Sequence, residues 1–105
     1  MEFWQISTEL YRVWKEYASA KAKSEMLSES KKSVIASIAS KTEAKSEATR
    51  ERVARASDEF KQYLYGVQQA RQKELELKYE LDSLNMDFEY QRSMNSIKKK
   101  EINLI

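Results

Sequence analysis

Few residues in this chain could carry out chemistry, and they are dispersed. The 105-residue sequence has neither histidine nor cysteine, so the usual general base, the thiol nucleophile and the soft metal ligands are missing. Serines such as Ser33 and Ser37 fall in a helical pattern with no base close in sequence. Gly66 is the one glycine, so no glycine-rich phosphate loop can form. We therefore expect no enzymatic activity and no cofactor.

An acidic stretch is the remaining candidate for a metal site. Glu76 and Glu80 would lie one helical turn apart and could be imagined to bind Mg²⁺. Such an ion needs several converging oxygens, usually including those of a substrate phosphate. We interpret the stretch as a solvated helix face, and we expect neither a metal nor a small-molecule substrate.

Composition predicts a single all-α domain over residues 1–105. There is no proline, and 34% of the residues are charged, which is typical of long solvent-exposed helices and leaves little material for tight turns. The formal net charge of +2 does not predict a class of partner. No apolar run is long enough to span a membrane, so we expect no membrane association and a cytoplasmic location.

Two heptad seams of apolar residues dominate the sequence, one in each half. Apolar residues at alternating spacings of three and four form one stripe on a helix, and that stripe must bury itself against a partner helix. The first seam comprises Phe3, Ile6, Leu10, Val13, Tyr17, Ala20, Ser24, Leu27, Lys31, Val34 and Ile38. The second comprises Val53, Ala56, Phe60, Tyr63, Val67, Ala70, Glu74, Leu77, Leu81, Leu84 and Phe88.

The seams predict a long antiparallel helical hairpin resembling a coiled coil. Helix 1 is expected over about residues 3–38 and helix 2 over about residues 58–95, joined by a connector at 39–57 and followed by a basic and apolar tail at 96–105. The connector contains two competing helix starts, a capping box at Ser40 with Glu43 and a serine cap at Ser57. If both operate, a short helix bridges the two long ones, and we favour this arrangement.

Each long helix also has a second apolar stripe outside its seam. A two-helix hairpin needs only one seam, so these side chains would remain in water, and exposed apolar patches of this kind mark interfaces. They predict either packing into a homodimeric four-helix bundle, or a higher homo-oligomer, or a surface for another protein. The predicted interface residues are Trp4, Tyr11, Trp14, Tyr65, Leu75, Tyr79 and Met86.

Basic residues cluster near the connector and near the C-terminus. Lysine and arginine neutralise phosphates regardless of base sequence, although acids are interleaved with them here. The candidate nucleic-acid contacts are Arg50, Arg52, Arg55, Arg92, Lys98, Lys99 and Lys100.

The second half of the chain also carries a recognisable pattern. Its first block is KSEATRER at residues 45–52, with Ala54 and then ASDEF at residues 56–60. Its closing block comprises Leu81, Leu84, Met86, Phe88, Glu89, Gln91, Arg92, Ser93 and Asn95. Together they resemble a family of small helical proteins that tailed bacteriophages encode among early recombination and replication genes. Many relatives carry tryptophan where this chain has Gln91, and proline where it has Asp58.

The resemblance covers residues 45–104 and implies an accessory role in phage DNA metabolism in the host cytoplasm. We therefore expect a noncatalytic accessory protein of phage DNA recombination or replication that binds a phage or host protein. The alternative is a helical adaptor or inhibitor that binds a host protein and does not touch nucleic acid.

Overall fold

Residues 1–104 fold into four α-helices joined by short connections. The structure, a computed structural model, describes residues 1–104, with the backbone alone at Leu104. The helices are α1 (Phe3–Glu29), α2 (Lys31–Ala39), α3 (Glu47–Arg55) and α4 (Asp58–Leu104). Within the described residues there is no β-strand. The predicted all-α hairpin with coiled-coil-like seams is confirmed, including the short bridging helix, while the predicted dimer stays a prediction.

Contacts within the chain group into two units. The first unit combines Met1–Ser19 with the part of α4 from Leu75 onward, and the second is Ala20–Glu74. Each is described separately below.

In the first unit, α1 and α4 pack antiparallel along the predicted seams. Ile6 and Val13 on α1 are fully buried, and Leu77 on α4 is buried. The Phe3 ring stacks on Phe88 with ring centroids 4.8 Å apart. Since apolar burial stabilises by about 25 cal/mol per Å², these side chains hold the unit together.

The second unit has its own small core, formed where the chain turns back. Ile35 and Ile38 of α2 are buried with Ala54 of α3 and Phe60 of α4, and Tyr63 packs against this cluster. The Tyr63 hydroxyl also donates a hydrogen bond to the backbone carbonyl of Leu27 in α1. The connector therefore contributes to a core through Ala54, whereas the seam residue Val53 is exposed.

The prediction of an unbroken helix 1 to Ile38 is wrong, because the helix is interrupted at Ser30. The Ser30 hydroxyl donates to the carbonyl of Met26 at 2.7 Å, and its amide is shared between the carbonyls of Met26 and Leu27 at 3.2 and 3.3 Å. Serine that bonds back to the preceding turn distorts a helix. Beyond the break the seam residue Lys31 is exposed, whereas Ile35, which lies outside the predicted seam, is buried with the seam residue Ile38.

One of the two predicted helix starts is confirmed and the other is wrong. The Ser57 hydroxyl accepts the Phe60 amide at 3.2 Å, as expected for the cap of α4. Ser40 instead closes α2, since its amide still bonds to the carbonyl of Ala36. The actual cap of α3 is Ser46, whose hydroxyl accepts the Thr49 amide at 3.1 Å.

The predicted end of helix 2 near Asn95 is also wrong, because α4 continues to Leu104. The residues after Asn95 include three consecutive lysines and neither glycine nor proline, so nothing stops the helix. Ile97 and Ile102 of this segment are exposed. The predicted tail also included Ile105, which lies outside the described residues.

Gly66 provides a test of the α4 backbone. A Cβ atom placed on Gly66 would meet nothing within 4 Å, and glycine inside a helix is less favourable than alanine by about 0.8–1.0 kcal/mol. We expect Gly66→Ala to raise the free energy of unfolding by roughly that amount, measured by urea denaturation. Gln68→Ala, an exchange between two good helix formers, should change little. A destabilised Gly66→Ala protein would contradict a continuous helix at this position.

Candidate protein-binding surface

An aromatic stripe runs along α1 in the first unit, outside the seam. We call Trp4, Tyr11 and Trp14 the α1 stripe. At about 100° per residue they lie within one arc of about 80° on the helix. Each is exposed, with between 58% and 67% of its surface accessible. Exposed aromatics grouped on one face are typical of protein interfaces, where tryptophan and tyrosine supply much of the binding energy.

An open groove lies beside this stripe. Tyr11 and Trp14 line it with Leu10 from α1 and with Leu81 and Asn85 from α4, and its volume is about 270 Å³. The Lys15 ammonium lies 5.3 Å from the centre of the Tyr11 ring, close enough for a cation–π attraction. The groove offers an apolar floor with an aromatic edge, which suits an apolar side chain of another protein.

A cluster of charges joins α1 and α4 on the side of the seam away from Tyr11 and Trp14. The Arg12 guanidinium lies 2.7 Å from Glu9 Oε2 and 2.9 Å from Glu16 Oε1 on α1. It also reaches Glu80 Oε1 on α4 at 3.5 Å. All four side chains are partly exposed, so the pairs orient the helices more than they stabilise them.

Arg12 and Glu9 shift each other's pKa. Its hydrogen bonds to the Glu9 carboxylate hold the pKa of Glu9 below the ordinary value of 4.5. The same hydrogen bonds, with the nearby negative charge, raise the pKa of Arg12. Because the folded-state pKa of Glu9 is lowered, its contribution to stability is present above the ordinary pKa and is lost as pH falls through the folded value.

A second exposed stripe lies on α4. Leu75, Tyr79 and Met86 were predicted as interface residues and are exposed in the first unit, while Tyr65, predicted with them, is exposed in the second unit. The sequence reasoning missed Tyr90, which is also exposed and lies four residues after Met86. Ile97, which the sequence placed in the tail, is exposed as well and continues the same line seven residues after Tyr90.

We define the α4 outer stripe by the members in the first unit. They are Leu75, Tyr79, Met86, Tyr90 and Ile97, with between 48% and 73% of their surface accessible. A search for apolar residues at spacings of four and seven along the outer face would have found the whole set.

The predicted nucleic-acid contacts are all exposed but belong to different units. Arg50, Arg52 and Arg55 lie on α3 in the second unit, and Arg92 and Lys98–Lys100 lie on α4 in the first. Some already have partners. Arg50 Nε donates to the carbonyl of Ala44 at 2.5 Å, and Arg92 lies 3.8 Å from Glu89 Oε1.

The acidic stretch of α4 does not assemble a metal site. Glu76 and Glu80 are both exposed, and Glu80 faces Arg12. Across residues 1–104, no three side chains of the metal-binding types come close enough to hold an ion. In the same part of the chain, no helix combines the length and the apolar character needed to cross a bilayer.

Comparison with known proteins does not identify a relative. No protein-family model matches the chain, and no characterised protein and no solved structure matches it.

The Arg12 cluster can be tested by titration. We expect Arg12→Gln to raise the pKa of Glu9 toward its ordinary value, because the hydrogen-bond donor that stabilises the carboxylate is removed. The measurement is the side-chain carboxyl shift followed by NMR against pH. Lys15→Gln removes a neighbouring charge that faces Tyr11 instead, and should leave Glu9 nearly unchanged. An unaltered Glu9 pKa in Arg12→Gln would contradict the cluster.

Proposed function

We propose that this chain is a noncatalytic phage accessory protein of DNA recombination or replication, and that it acts by binding another protein. The observation that carries the proposal is the α1 stripe. Three aromatic side chains are exposed beside an apolar groove, although the seam of the same helix is already buried. Such surface is costly to leave in water unless a partner covers it.

The stripe and groove together suit an amphipathic helix of a partner. Trp4, Tyr11 and Trp14 follow one face over about three turns of α1, so a helix lying along them could place successive apolar side chains against each ring. Recognition of this kind uses anchors at helical spacing. The groove beside Tyr11 and Trp14 would take one such anchor.

The assignment to phage DNA metabolism comes from the resemblance of residues 45–104 to small helical phage proteins. In that setting the chain would work in the cytoplasm of the infected cell. The basic residues of α3 and of the α4 end are the candidate contacts to nucleic acid, as a lesser part of the mechanism.

The alternative is a helical adaptor or inhibitor of a host protein with no nucleic-acid contact. The pairing of Arg50 with Ala44 and of Arg92 with Glu89 favours it, because these arginines are already engaged. The net charge of only +2 points the same way, since nonspecific binding to nucleic acid depends on a strong positive field.

Partner binding is tested by capture with matched variants. The wild-type chain and a Tyr11→Ser/Trp14→Ser variant are used as bait in lysate from infected and uninfected cells. We expect the variant to lose its specific partner, since removing an aromatic hot spot costs about 2 kcal/mol or more, or about 30-fold in affinity. Met26→Ser, another exposed apolar residue of α1, should keep the partner. Equal capture by all three would contradict the proposal.

Nucleic-acid binding is tested by a salt series. If the basic residues contact phosphates, affinity for single- and double-stranded oligonucleotides should fall steeply between about 50 and 200 mM salt. Lys98→Gln/Lys99→Gln/Lys100→Gln should then flatten the dependence, whereas Lys15→Gln should not. No binding at low salt would remove the DNA contact and favour the adaptor alternative.

A further inference from the structure

We infer that the α4 outer stripe binds a second copy of the chain, with the two α4 helices antiparallel and the twofold axis near Met86 and Tyr90. This deepens the proposed function, on which it rests for the idea that exposed stripes are interfaces. It assigns self-association to α4 and leaves the α1 stripe for a different protein.

The first argument is that α4 is apolar on two opposite sides within the first unit. Its seam residues Leu77, Leu81 and Leu84 are buried or half-buried. At about 100° per residue the α4 outer stripe is centred about 180° from this seam and occupies an arc of only about 60°. A helix with one apolar stripe needs one neighbour. Two opposite stripes call for two neighbours, and α1 is only the first.

The second argument is that α4 extends beyond α1 in the first unit. Phe3, the first residue of α1, stacks on Phe88, yet α4 continues to Leu104. The extension from Phe88 is about 24 Å at 1.5 Å per residue. A helix of this length is marginal in water without packing, and it exposes Ile97 and Ile102. A second helix beside it would bury Ile97 and support this segment.

The third argument is charge, which favours a second copy of the chain as the partner and an antiparallel orientation of the two α4 helices. Residues 74–89 carry six acidic side chains and one lysine, whereas residues 92–100 carry four basic side chains and no acid. With the axis near residue 88, an antiparallel copy lays residues 92–100 of each chain opposite roughly residues 76–84 of the other, which carry Glu76, Glu80 and Asp82 with Lys78. A parallel copy would oppose like charges, which is unfavourable. The surface is therefore complementary to itself, as a twofold interface requires.

The same arrangement matches apolar residues as well as charges. The α4 outer stripe runs from Leu75 to Ile97 and is centred on Met86. A twofold axis near this centre brings Ile97 of the second copy close to the Leu75 and Tyr79 end of the first. Near the centre, Met86 has an adaptable side chain and Tyr90 a large one. Both properties suit a position that contacts the same residue of the second copy.

Single-cysteine variants test the direction, because the natural chain contains no cysteine. Whichever of Met86→Cys and Tyr90→Cys lies nearer the twofold axis brings its two thiols toward the short Cβ separation that a disulfide needs. We expect at least one of them to give a high yield of covalent dimer under mild oxidation at micromolar protein. Tyr79→Cys, far from the axis, should give a several-fold lower yield. A yield of covalent dimer from Tyr79→Cys equal to the better of the other two would show a parallel or nonspecific contact and overturn the inference. Low yields of dimer from all three variants would overturn it as well.

Charge exchange tests whether the molecule bound to the α4 outer stripe is a second copy of the chain. Lys98→Glu/Lys100→Glu should weaken self-association by about tenfold or more at low salt, since like charges are then opposed. Lys98→Arg/Lys100→Arg should not weaken it. Mixing the glutamate variant with Glu76→Lys/Glu80→Lys, the acids that lie nearest Lys98 and Lys100 across such an axis, should restore dimers of mixed composition, which sedimentation equilibrium detects. Failure of the mixture to associate, or a monomeric natural chain, overturns the inference.

The two proposals can fail independently. Tyr11→Ser/Trp14→Ser leaves the α4 outer stripe intact and should still dimerise, while Lys98→Glu/Lys100→Glu leaves the α1 stripe intact and should still capture the partner. If the natural chain is monomeric but captures its partner, only the proposed self-association is wrong. If it dimerises but captures no partner, only the proposed function is wrong.

Discussion

The antiparallel burial of the α1 and α4 seams is the interaction on which the rest of the molecule depends. A long helix with this much charge has little reason to persist alone in water, because most helix stability in proteins comes from packing one face. In the first unit Ile6, Val13 and Leu77 exclude water from that face. Once the seam is buried, the position of every other side chain around each helix is fixed. The aromatic stripes are exposed because the seams have taken the single neighbour available.

The charges of the first unit follow from the same packing. Arg12 lies on the edge of the seam, where it meets acids of its own helix and also Glu80 of α4. Exposed ion pairs of this kind contribute little free energy. They do favour one direction and one sliding position of the helices, since moving Glu80 away would leave Arg12 with partners on its own helix alone.

Much of this could be predicted from the sequence, because heptad spacing is a local signal. The buried and half-buried positions of α4 from Phe60 to Phe88 follow from it, as does the exposure of the predicted interface residues. The cap at Ser57 follows from a different local signal, a serine before two acids. The breaks could not be predicted in the same way. Ser24 and Ser30 both stand in a helical run of helix 1, yet Ser24 is buried in the seam and Ser30 ends the helix. Ser46 was overlooked as a cap because Ser40 offered a closer match to the capping-box pattern. Ala54 showed no sign of burial, since alanine suits both core and surface.

The hydrogen bond between Tyr63 and the carbonyl of Leu27 has a consequence for specificity. A heptad seam repeats itself, so sliding one helix by seven residues would still bring apolar side chains together, and hydrophobic burial alone discriminates weakly among such alignments. The interruption at Ser30 alters the last turn of α1, where the Ser30 amide is shared between the carbonyls of Met26 and Leu27. The Tyr63 hydroxyl reaches the Leu27 carbonyl in only one alignment of α4 with α1. In the second unit, the helix break at Ser30 and the hydrogen bond from Tyr63 together distinguish the native alignment of the helices from alignments shifted by one heptad.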